Sequence, residues 1–384
     1  MQVFTLTVLA IYNRNPAAAT ARITHILGVP PQMVRQERAF LGRNGYLEKD
    51  KELNWHITPL GIEALKHFDE ERARENARFL KEAGETVCKA LGVQPEEISR
   101  FTLMDKGMTN DSYIFTCRGK RYIYRQAGQG SEMLVDRFRE YANYVALQGH
   151  SISDVVVYHN PSDGTKITEY IENAAGVDPH NMRHLQRALK ALRKLHTADI
   201  KSPHDFDFIH TIDYYEEICH NMETEFFTTY RKYKSSVLQL LEKVKVLRPP
   251  QCFCHIDFVP GNCLMQENGE VILIDWEYSG SQDPIVDIAM FCISAAFNKR
   301  QSDRLLHMYL ERTPTAEEFA RLYTYIATAG LMWSLWSVFK TANGEIFEGY
   351  TERTYNLCKK YSKLAQRIFD RIEKESNQQP ATVG

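Results

Sequence analysis

Residues 252–277 hold a group of polar side chains, set between apolar segments, that could do chemistry. His255, Asp257 and Asn262 form the pattern H-x-D-x4-N, and a short apolar strand then ends at Asp275. Phosphoryl transfer needs a carboxylate that orients and deprotonates the acceptor hydroxyl, and oxygen ligands that hold Mg²⁺ against nucleotide phosphates. This spacing therefore predicts kinase-type chemistry, with ATP as co-substrate and Mg²⁺ as cofactor.

A surface β-hairpin, whose Asp and Asn residues merely serve its turns, is the alternative interpretation of this stretch. It would explain the turns at Gly261 and Gly269. It does not explain why the apolar segments CF and VILI flank so many polar groups. Several independent parts agree on a site, so the chemical interpretation is favoured.

Composition describes an ordinary globular protein of 384 residues, long enough for two or three domains. With a net charge of −2, the chain has no overall electrostatic attraction to nucleic acid or to an anionic membrane. The eight scattered cysteines indicate reduced thiols and a cytoplasmic location. Cys252 and Cys254 are spaced C-x-C without a Cys/His pair at zinc spacing, which favours strand residues over a metal site.

The N-terminal apolar run is interrupted by polar residues and lacks a basic segment, so we expect a buried helix rather than a secretory signal. No later segment is long and apolar enough to predict a membrane span.

Residues 1–66 read as helical runs, a hairpin and the start of another helix. YLEK and NWHIT predict two strands around a charged tip, and Thr58 followed by Pro59 predicts a helix start. This order resembles a winged helix-turn-helix domain. The segment has eight Lys/Arg (14, 22, 35, 38, 43, 49, 51, 66) and five Asp/Glu (37, 48, 50, 52, 63), and 8 − 5 = +3 is a mild excess.

Arg35, Arg38 and Arg43 lie on the helix that would enter the DNA groove, where they would suit phosphate contacts. A module used for packing or for homodimer formation is the alternative. The sequence leaves DNA binding and the oligomeric state open.

The rest of the chain predicts an α+β, bilobal arrangement. A charged helical linker covers 67–98, strands around one helix fill 99–173, and long periodic helices dominate 174–372. Residues 373–384 are polar and predict a disordered tail.

Over residues 99–365 the chain resembles the choline kinase branch of the aminoglycoside-phosphotransferase-like kinases. The resemblance rests on CHIDFVPGNCL, LIDWEYSG and MWSLWSVFK. It implies a protein-kinase-like fold and phosphorylation of choline. It assigns Asp257 as catalytic base, and Asn262 and Asp275 as magnesium ligands. We expect His255 to brace the loop.

The resemblance also extends to residues around this motif. It implies that Asp287 supports the catalytic loop. Glu277 shares a face with Asp275 and is predicted to reach a second metal or the substrate cation, with an exposed carboxylate as the alternative.

The nucleotide half is expected between 106 and 172. The segment 106–115 matches a phosphate-covering loop, and Arg125 matches the family's phosphate-directed basic residue, with Glu140 as its predicted ion-pair partner. Backbone groups from Glu169 to Ile171 would hold the adenine edge. Gly107 would allow the backbone to approach the nucleotide phosphates closely. The expected hydrogen-bond donors of the loop are Thr109, Asn110 and Ser112.

Trp333 and Trp336 are three apart on a predicted helix and share a face, with Tyr350 and Tyr355 downstream. A quaternary ammonium offers no N–H, so its recognition requires aromatic faces. This cluster predicts a choline pocket. A core aromatic stripe is the alternative.

The sequence leaves three alternative functions open: phosphorylation of ethanolamine, phosphorylation of an aminoglycoside, and DNA-binding regulation. Ethanolamine would need carboxylate or carbonyl acceptors, and an aminoglycoside would need an acidic cleft. A DNA-binding regulator with a kinase-like sensor is a different class, but Asp257, Asn262 and Asp275 are all chemically competent.

Overall fold

The structure is a computed structural model that describes residues 3–15, 18–27, 31–99, 101–106, 110–128, 133–221, 227–343 and 349–378. It divides into two compact units, Met1–Thr86 with Lys340–Tyr350 and Val87–Phe339 with Thr351–Gly384. Among the helices of the described ranges, none combines the length and the apolar character needed to cross a membrane.

The N-terminal unit begins with helices and a hairpin, as predicted. Its elements are α1 (Val3–Arg14), α2 (Thr20–Leu27), α3 (Pro31–Arg43), β1 (Leu47–Lys49), β2 (Trp55–Ile57) and α4 (Pro59–Leu91). The two strands pair antiparallel, with Glu48 opposite His56. Asp50 closes the hairpin tip because its Oδ1 accepts the backbone N–H groups of Glu52 and Asn54, at 2.8 and 2.9 Å.

The three arginines of α3 have different surroundings. Arg35 and Arg43 are exposed. Arg38 is half-buried, donates from Nη1 to Thr20 Oγ1 at 2.8 Å and lies 5.8 Å from the Trp55 ring centroid. Arg38 is therefore used within the unit, and the prediction of phosphate contacts rests on the other two. DNA binding and the winged-helix assignment stay predictions.

Helix α4 begins as predicted and includes much of the predicted helical linker. Thr58 Oγ1 accepts the N–H of Gly61 at 3.1 Å, and Pro59 occupies the first helical position. The helix then continues without a break across residue 66 to Leu91, and the domain boundary at residue 66 stays a prediction.

The second unit opens with a five-stranded sheet, whose order is β3-β4-β5-β7-β6. Its strands are β3 (Thr102–Lys106), β4 (Asn110–Cys117), β5 (Lys120–Ala127), β6 (Val156–His159) and β7 (Lys166–Glu169), with α5 (Arg137–Ala146) between β5 and β6. The register places Arg125 of β5 opposite Ser112 on one side and Lys166 on the other. The predicted strand-rich lobe is thus confirmed.

The remainder is mainly helical around short hairpins. It contains β8 (Ala175–Gly176), α6 (Met182–Thr197), α7 (Phe208–Asn221), α8 (Tyr230–Val246), β9 (Cys252–Cys254), β10 (Cys263–Met265), β11 (Val271–Leu273), β12 (Gly280–Gln282), α9 (Ile285–Ser294), α10 (Lys299–Leu310), α11 (Ala316–Ala342) and α12 (Tyr350–Gln378). Helix α9 is buried from Ile285 to Ile293 and forms the centre of the core. Since α12 continues to Gln378, the disordered tail expected from residue 373 is wrong for 373–378, and 379–384 lie outside the described residues.

Replacing a glycine of α4 with alanine should have opposite effects on stability at two positions. A Cβ at Gly61 would lie 2.4 Å from the backbone carbonyl oxygen of Tyr46, whereas a Cβ at Gly84 would meet nothing within 4 Å. Gly61→Ala should therefore destabilise the N-terminal unit by about 1–3 kcal/mol. Gly84→Ala should stabilise the helix by about 0.5–1 kcal/mol. Thermal unfolding of the two variants measures both, and a stabilised Gly61→Ala would contradict the packing described.

Candidate active site

The predicted catalytic loop leaves the sheet at a point defined by two paired strands. Strand β9 pairs antiparallel with β12, which places Cys254 opposite Gly280. Directly after β9, Ile256 has a φ of 66°. This left-handed conformation is unfavourable for a β-branched residue and costs on the order of 1–3 kcal/mol. The surrounding contacts must therefore hold the loop in place.

Asp287, in the first turn of α9, supplies those contacts. Its Oδ2 accepts the N–H of His255 at 2.9 Å and its Oδ1 accepts the N–H of Ile256 at 2.7 Å. His196 of α6 donates from Nε2 to the same carboxylate at 2.9 Å. Hydrogen bonds to a charged group stabilise by about 1.5–3 kcal/mol each, so two of them offset the backbone strain. This geometry agrees with the supporting role predicted for Asp287.

His255 is fully buried and links two loops. Its Nε2–H donates to the carbonyl of Ile274 at 2.9 Å, and its ring lies 4.4 Å from the Trp276 ring centroid. Burial lowers the pKa of His255, so the neutral ring is favoured. The neutral ring of His255 thus joins the catalytic loop to the segment that ends at Asp275, which agrees with the loop-stabilising role predicted for it.

Asp257 and Asn262 are oriented by each other. Asn262 donates from Nδ2 to Asp257 Oδ2 at 2.8 Å and to the Asp257 carbonyl at 3.0 Å. Burial, and then the negative charge of Asp275, raise the pKa of Asp257 to about 7. A carboxylate with this pKa suits proton transfer near neutral pH.

Asn262 and Asp275 provide an oxygen-rich donor set. Because the amide nitrogen of Asn262 is directed at Asp257, its Oδ1 is the atom left to act as a ligand. Asp275 has a φ of 68° and a side chain with 31% exposure, and it accepts Arg125 Nη1 at 3.0 Å. One amide and one carboxylate oxygen fit Mg²⁺, which keeps several waters and phosphate oxygens as further ligands.

Arg125 connects the sheet to this loop. Its Nη2 donates to the buried carboxylate of Glu140 on α5, and its Nη1 to Asp275. The predicted ion pair with Glu140 is therefore present, and the second pair with Asp275 was not anticipated. The guanidinium is held at both ends beside the predicted metal ligands.

Glu140 is surrounded by further cations that sequence reasoning missed. Arg137 Nη1 lies 3.1 Å from Glu140 Oε2, and Lys166 Nζ lies 3.1 Å from Oε1. His159 lies 4.0 Å away, and burial lowers its pKa to about 4, so it is neutral. Although burial alone would raise the pKa of Glu140, Arg125 and the other cations lower it well below its usual range. The i,i+3 spacing of Arg137 and Glu140 on α5 could have indicated the first of these pairs. The sheet register, which places Lys166 beside Arg125, was needed for the second.

Glu277 is buried rather than exposed. Its Oε2 lies 3.5 Å from Arg137 Nη1 and accepts from Asn110 Nδ2 at 3.5 Å. Burial, and then the charges of Asp275 and Glu140, raise the pKa of Glu277 to about 8. Asn110, predicted as a phosphate-loop donor, is likewise buried, and its Oδ1 accepts from Arg137 at 3.0 Å.

The other predicted nucleotide contacts are less closely defined. Ser112 is half-buried in β4, and Gly107 and Thr109 lie outside the described residues. The chain leaves β7 at Glu169, whose backbone N–H donates to Val155, and passes on to the half-buried Ile171. These hinge and loop roles stay predictions.

Trp333 and Trp336 are buried and belong to one aromatic group with Tyr278. Their ring centroids are 5.8 Å apart with planes at 86°, and Trp333 meets Tyr278 at 5.5 Å and 90°. Burial raises the pKa values of Tyr278 and Tyr215, and the charges of Glu277 and then Asp257 raise them further. Both tyrosines therefore experience the charge of the predicted base. Sequence reasoning missed them, although Tyr278 directly follows Glu277 in DWEYS.

Tyr355 lies in a different aromatic cluster from the two tryptophans. It stacks on Phe227 at 3.9 Å, meets Tyr233 at 6.1 Å and shares a hydrogen bond with Thr229 at 2.9 Å. Its predicted place beside the tryptophans is therefore not supported by these contacts. Tyr350 is half-buried at the start of α12 and its role stays a prediction.

Comparisons with known proteins agree with this geometry. A sequence profile described as the phosphotransferase enzyme family matches residues 100–325. Protein LicA of Haemophilus influenzae is 27% identical over 277 residues, 67% of this chain and 80% of the relative. Choline kinase LicA from Streptococcus pneumoniae is 26% identical and superposes with a TM-score of 0.64, over 74% of this chain and 99% of that one. A structure of LicA in complex with AMP is 26% identical and gives the same TM-score, over 75% and 99% of the two chains. The predicted kinase-like fold is confirmed.

The raised pKa of Asp257 predicts a pH-dependent effect of Asp257→Asn on stability. Because the folded pKa of about 7 exceeds the ordinary aspartate pKa of 3.8, this carboxyl contributes stability at low pH that is lost as pH rises through about 7. In magnesium-free buffer, Asp257→Asn should therefore be more stable than the natural chain at about pH 8, by on the order of 1–3 kcal/mol, and similar to it near about pH 4.

Urea unfolding at both pH values measures this difference. Asp69→Asn, which removes an exposed carboxylate of α4, is the matched control and should change stability at neither pH. A less stable Asp257→Asn at the higher pH would show that Asp257 ionises without cost in the folded chain.

Proposed function

Because the chain belongs to the phosphotransferase enzyme family, we propose that it transfers the γ-phosphoryl group of ATP to the hydroxyl of a small amino alcohol, choline. The observation that carries this proposal is the Asp257 carboxylate, held by Asn262, with a pKa of about 7 and with Asp275 next to it. The relatives named choline kinase support the choice of acceptor.

Asp257 acts as the general base. Its carboxylate accepts the proton of the acceptor hydroxyl while the hydroxyl oxygen forms a bond to the γ-phosphorus and the bond to the β,γ-bridging oxygen breaks. ADP leaves with that electron pair. Mg²⁺ on Asn262 and Asp275, when bound, balances the charge that develops on the phosphate oxygens. Asn262 keeps Asp257 directed at the acceptor.

Arg125 positions the nucleotide end of the reaction. Its guanidinium is fixed by Glu140 and Asp275, so little side-chain freedom is lost when phosphate binds beside it. Arg137 and Lys166 also contact Glu140 and fix its carboxylate, so the partner of Arg125 is itself held in place. AMP bound to a relative of similar fold supports a nucleotide there.

The aromatic group supports a quaternary ammonium as the acceptor's cation. The rings of Tyr278 and Trp336 each lie nearly perpendicular to the ring of Trp333, an arrangement that can present aromatic faces to a diffuse charge. Glu277, the carboxylate closest in sequence to this group, already accepts from Asn110 and lies against Arg137. A primary ammonium would compete with both for the same oxygen, so this site favours choline over ethanolamine.

A substrate panel tests the proposal. With ATP and Mg²⁺, ADP release should be faster on choline than on ethanolamine, and slowest on an aminoglycoside. Equal or better turnover of ethanolamine would contradict the choice of acceptor and leave the transferase chemistry intact. If none of these alcohols is turned over, the transferase proposal itself is wrong.

The pocket is tested by removing its rings. The double variant Trp333→Ala, Trp336→Ala should raise the KM for choline by roughly 10–100-fold, since each lost cation–π contact costs about 0.5–2 kcal/mol. The KM for ATP should change little. Tyr355→Phe is the matched control, because Tyr355 packs in the separate cluster with Phe227. An unchanged choline KM in the double variant would assign the tryptophans to the core.

A further inference from the structure

Two thiols and an imidazole come together behind the catalytic loop. One ring nitrogen of His196 and the Sγ atoms of Cys252 and Cys254 all lie within 4.8 Å of one another. The sequence offers no Cys/His partner at zinc spacing for this C-x-C pair. The fold supplies one from α6, because that helix packs against β9.

The spacing of the two sulfurs suits a tetrahedral ion. Cys252 Sγ and Cys254 Sγ are 3.7 Å apart. Zinc–sulfur bonds of about 2.3 Å at tetrahedral angles place two ligand sulfurs about 3.8 Å apart. A disulfide would require about 2.05 Å, so the pair is not bonded. The two thiols therefore need little movement to bind one cation together.

His196 makes the carboxylate hydrogen bond that metal-binding histidines usually make. Its Nε2–H donates to the Asp287 carboxylate at 2.9 Å, so in the neutral ring the lone pair is on Nδ1. Nδ1 accepts the hydroxyl of Tyr309 at 2.8 Å. A carboxylate that holds one ring nitrogen fixes the tautomer and makes the other nitrogen a better ligand.

Tyr309 places its hydroxyl oxygen beside Nδ1 of His196. Burial raises the pKa of Tyr309, and the charges of the thiolate forms of Cys252 and Cys254 raise it further. The hydroxyl that now donates to Nδ1 can turn away and leave that lone pair to a cation. Access is provided by Cys252, which is half-buried, whereas Cys254 is fully buried.

We propose that Cys252, Cys254 and His196 bind a thiophilic divalent cation of the zinc type, at a site separate from Asn262 and Asp275. Binding forms two metal–sulfur bonds and one metal–nitrogen bond and releases the two thiol protons to solvent, so the paired thiolates balance the ion's charge. Thiolate and imidazole ligands select against Mg²⁺, which requires oxygen ligands. Since His196 keeps its bond to Asp287, the ion stabilises the strand before the catalytic loop without displacing the loop.

Titration of the reduced protein with Co²⁺ in excess Mg²⁺ tests this site. Magnesium fills the oxygen ligands, and thiolate-to-cobalt charge transfer reports binding to sulfur. We expect one equivalent to produce that absorption band and to raise the Tm. Affinity should fall by more than about tenfold in Cys252→Ser, Cys254→Ser, since losing even a group that only orients a ligand costs roughly 10–100-fold.

Cys88 and Cys117 provide the matched control, because they are a second pair of neighbouring thiols. Cys88→Ser, Cys117→Ser should keep the band at full affinity. A band that survives in the first double variant, or disappears in the second, would place the cation elsewhere. Absence of any band in the natural chain would overturn the site.

A crystal soaked with Cd²⁺ keeps the proposal testable if the first double variant does not fold. Anomalous scattering should place cadmium within bonding distance of both sulfurs of the C-x-C pair. Cadmium found only at other positions would contradict the proposal. Phosphotransferase activity of the unsubstituted chain does not enter either readout, so the outcome is independent of the proposed function.

Discussion

Asp287 accepts two consecutive backbone N–H groups, those of His255 and Ile256, and this contact sets the path of the chain into the active site. Without it the left-handed conformation of Ile256 would relax, because a β-branched residue has no intrinsic preference for a φ of 66°. Asp257 follows directly, so its carboxylate is positioned by a residue that lies thirty places further along the chain. The most buried helix, α9, therefore also defines the geometry of the loop.

A second buried carboxylate joins the nucleotide sheet to this loop. Glu140 binds Arg125, Arg137 and Lys166, and Arg125 continues to Asp275. Buried charges are costly unless they are paired, and removing one member leaves its partners uncompensated. The network therefore holds the predicted phosphate-directed arginine and the predicted metal ligand in one arrangement.

The linear motifs predicted the chemistry and the order of elements. H-x-D-x4-N and the following strand were enough to identify Asp257, Asn262 and Asp275, since these residues lie on two adjacent segments whose spacing is local. Three-dimensional neighbours were harder to predict. Glu277 was expected at a surface or a metal but lies buried against Arg137, and Tyr355 packs on Phe227 instead of the tryptophans. Helical spacing shows which side chains share a face, but it does not show what that face meets.

The sequence by itself determined the strand-rich and helical halves and the catalytic loop, because these depend on periodicity, turn residues and short-range spacing. The Arg125–Glu140 pair was predicted only from the resemblance to a known family. Only the tertiary structure decided that Lys166 reaches Glu140, that Tyr278 meets Trp333, and that His196 meets Cys252 and Cys254. These groups come from elements distant along the chain. Their proximity depends on how the strands pair and the helices pack, and a single sequence shows neither of these directly.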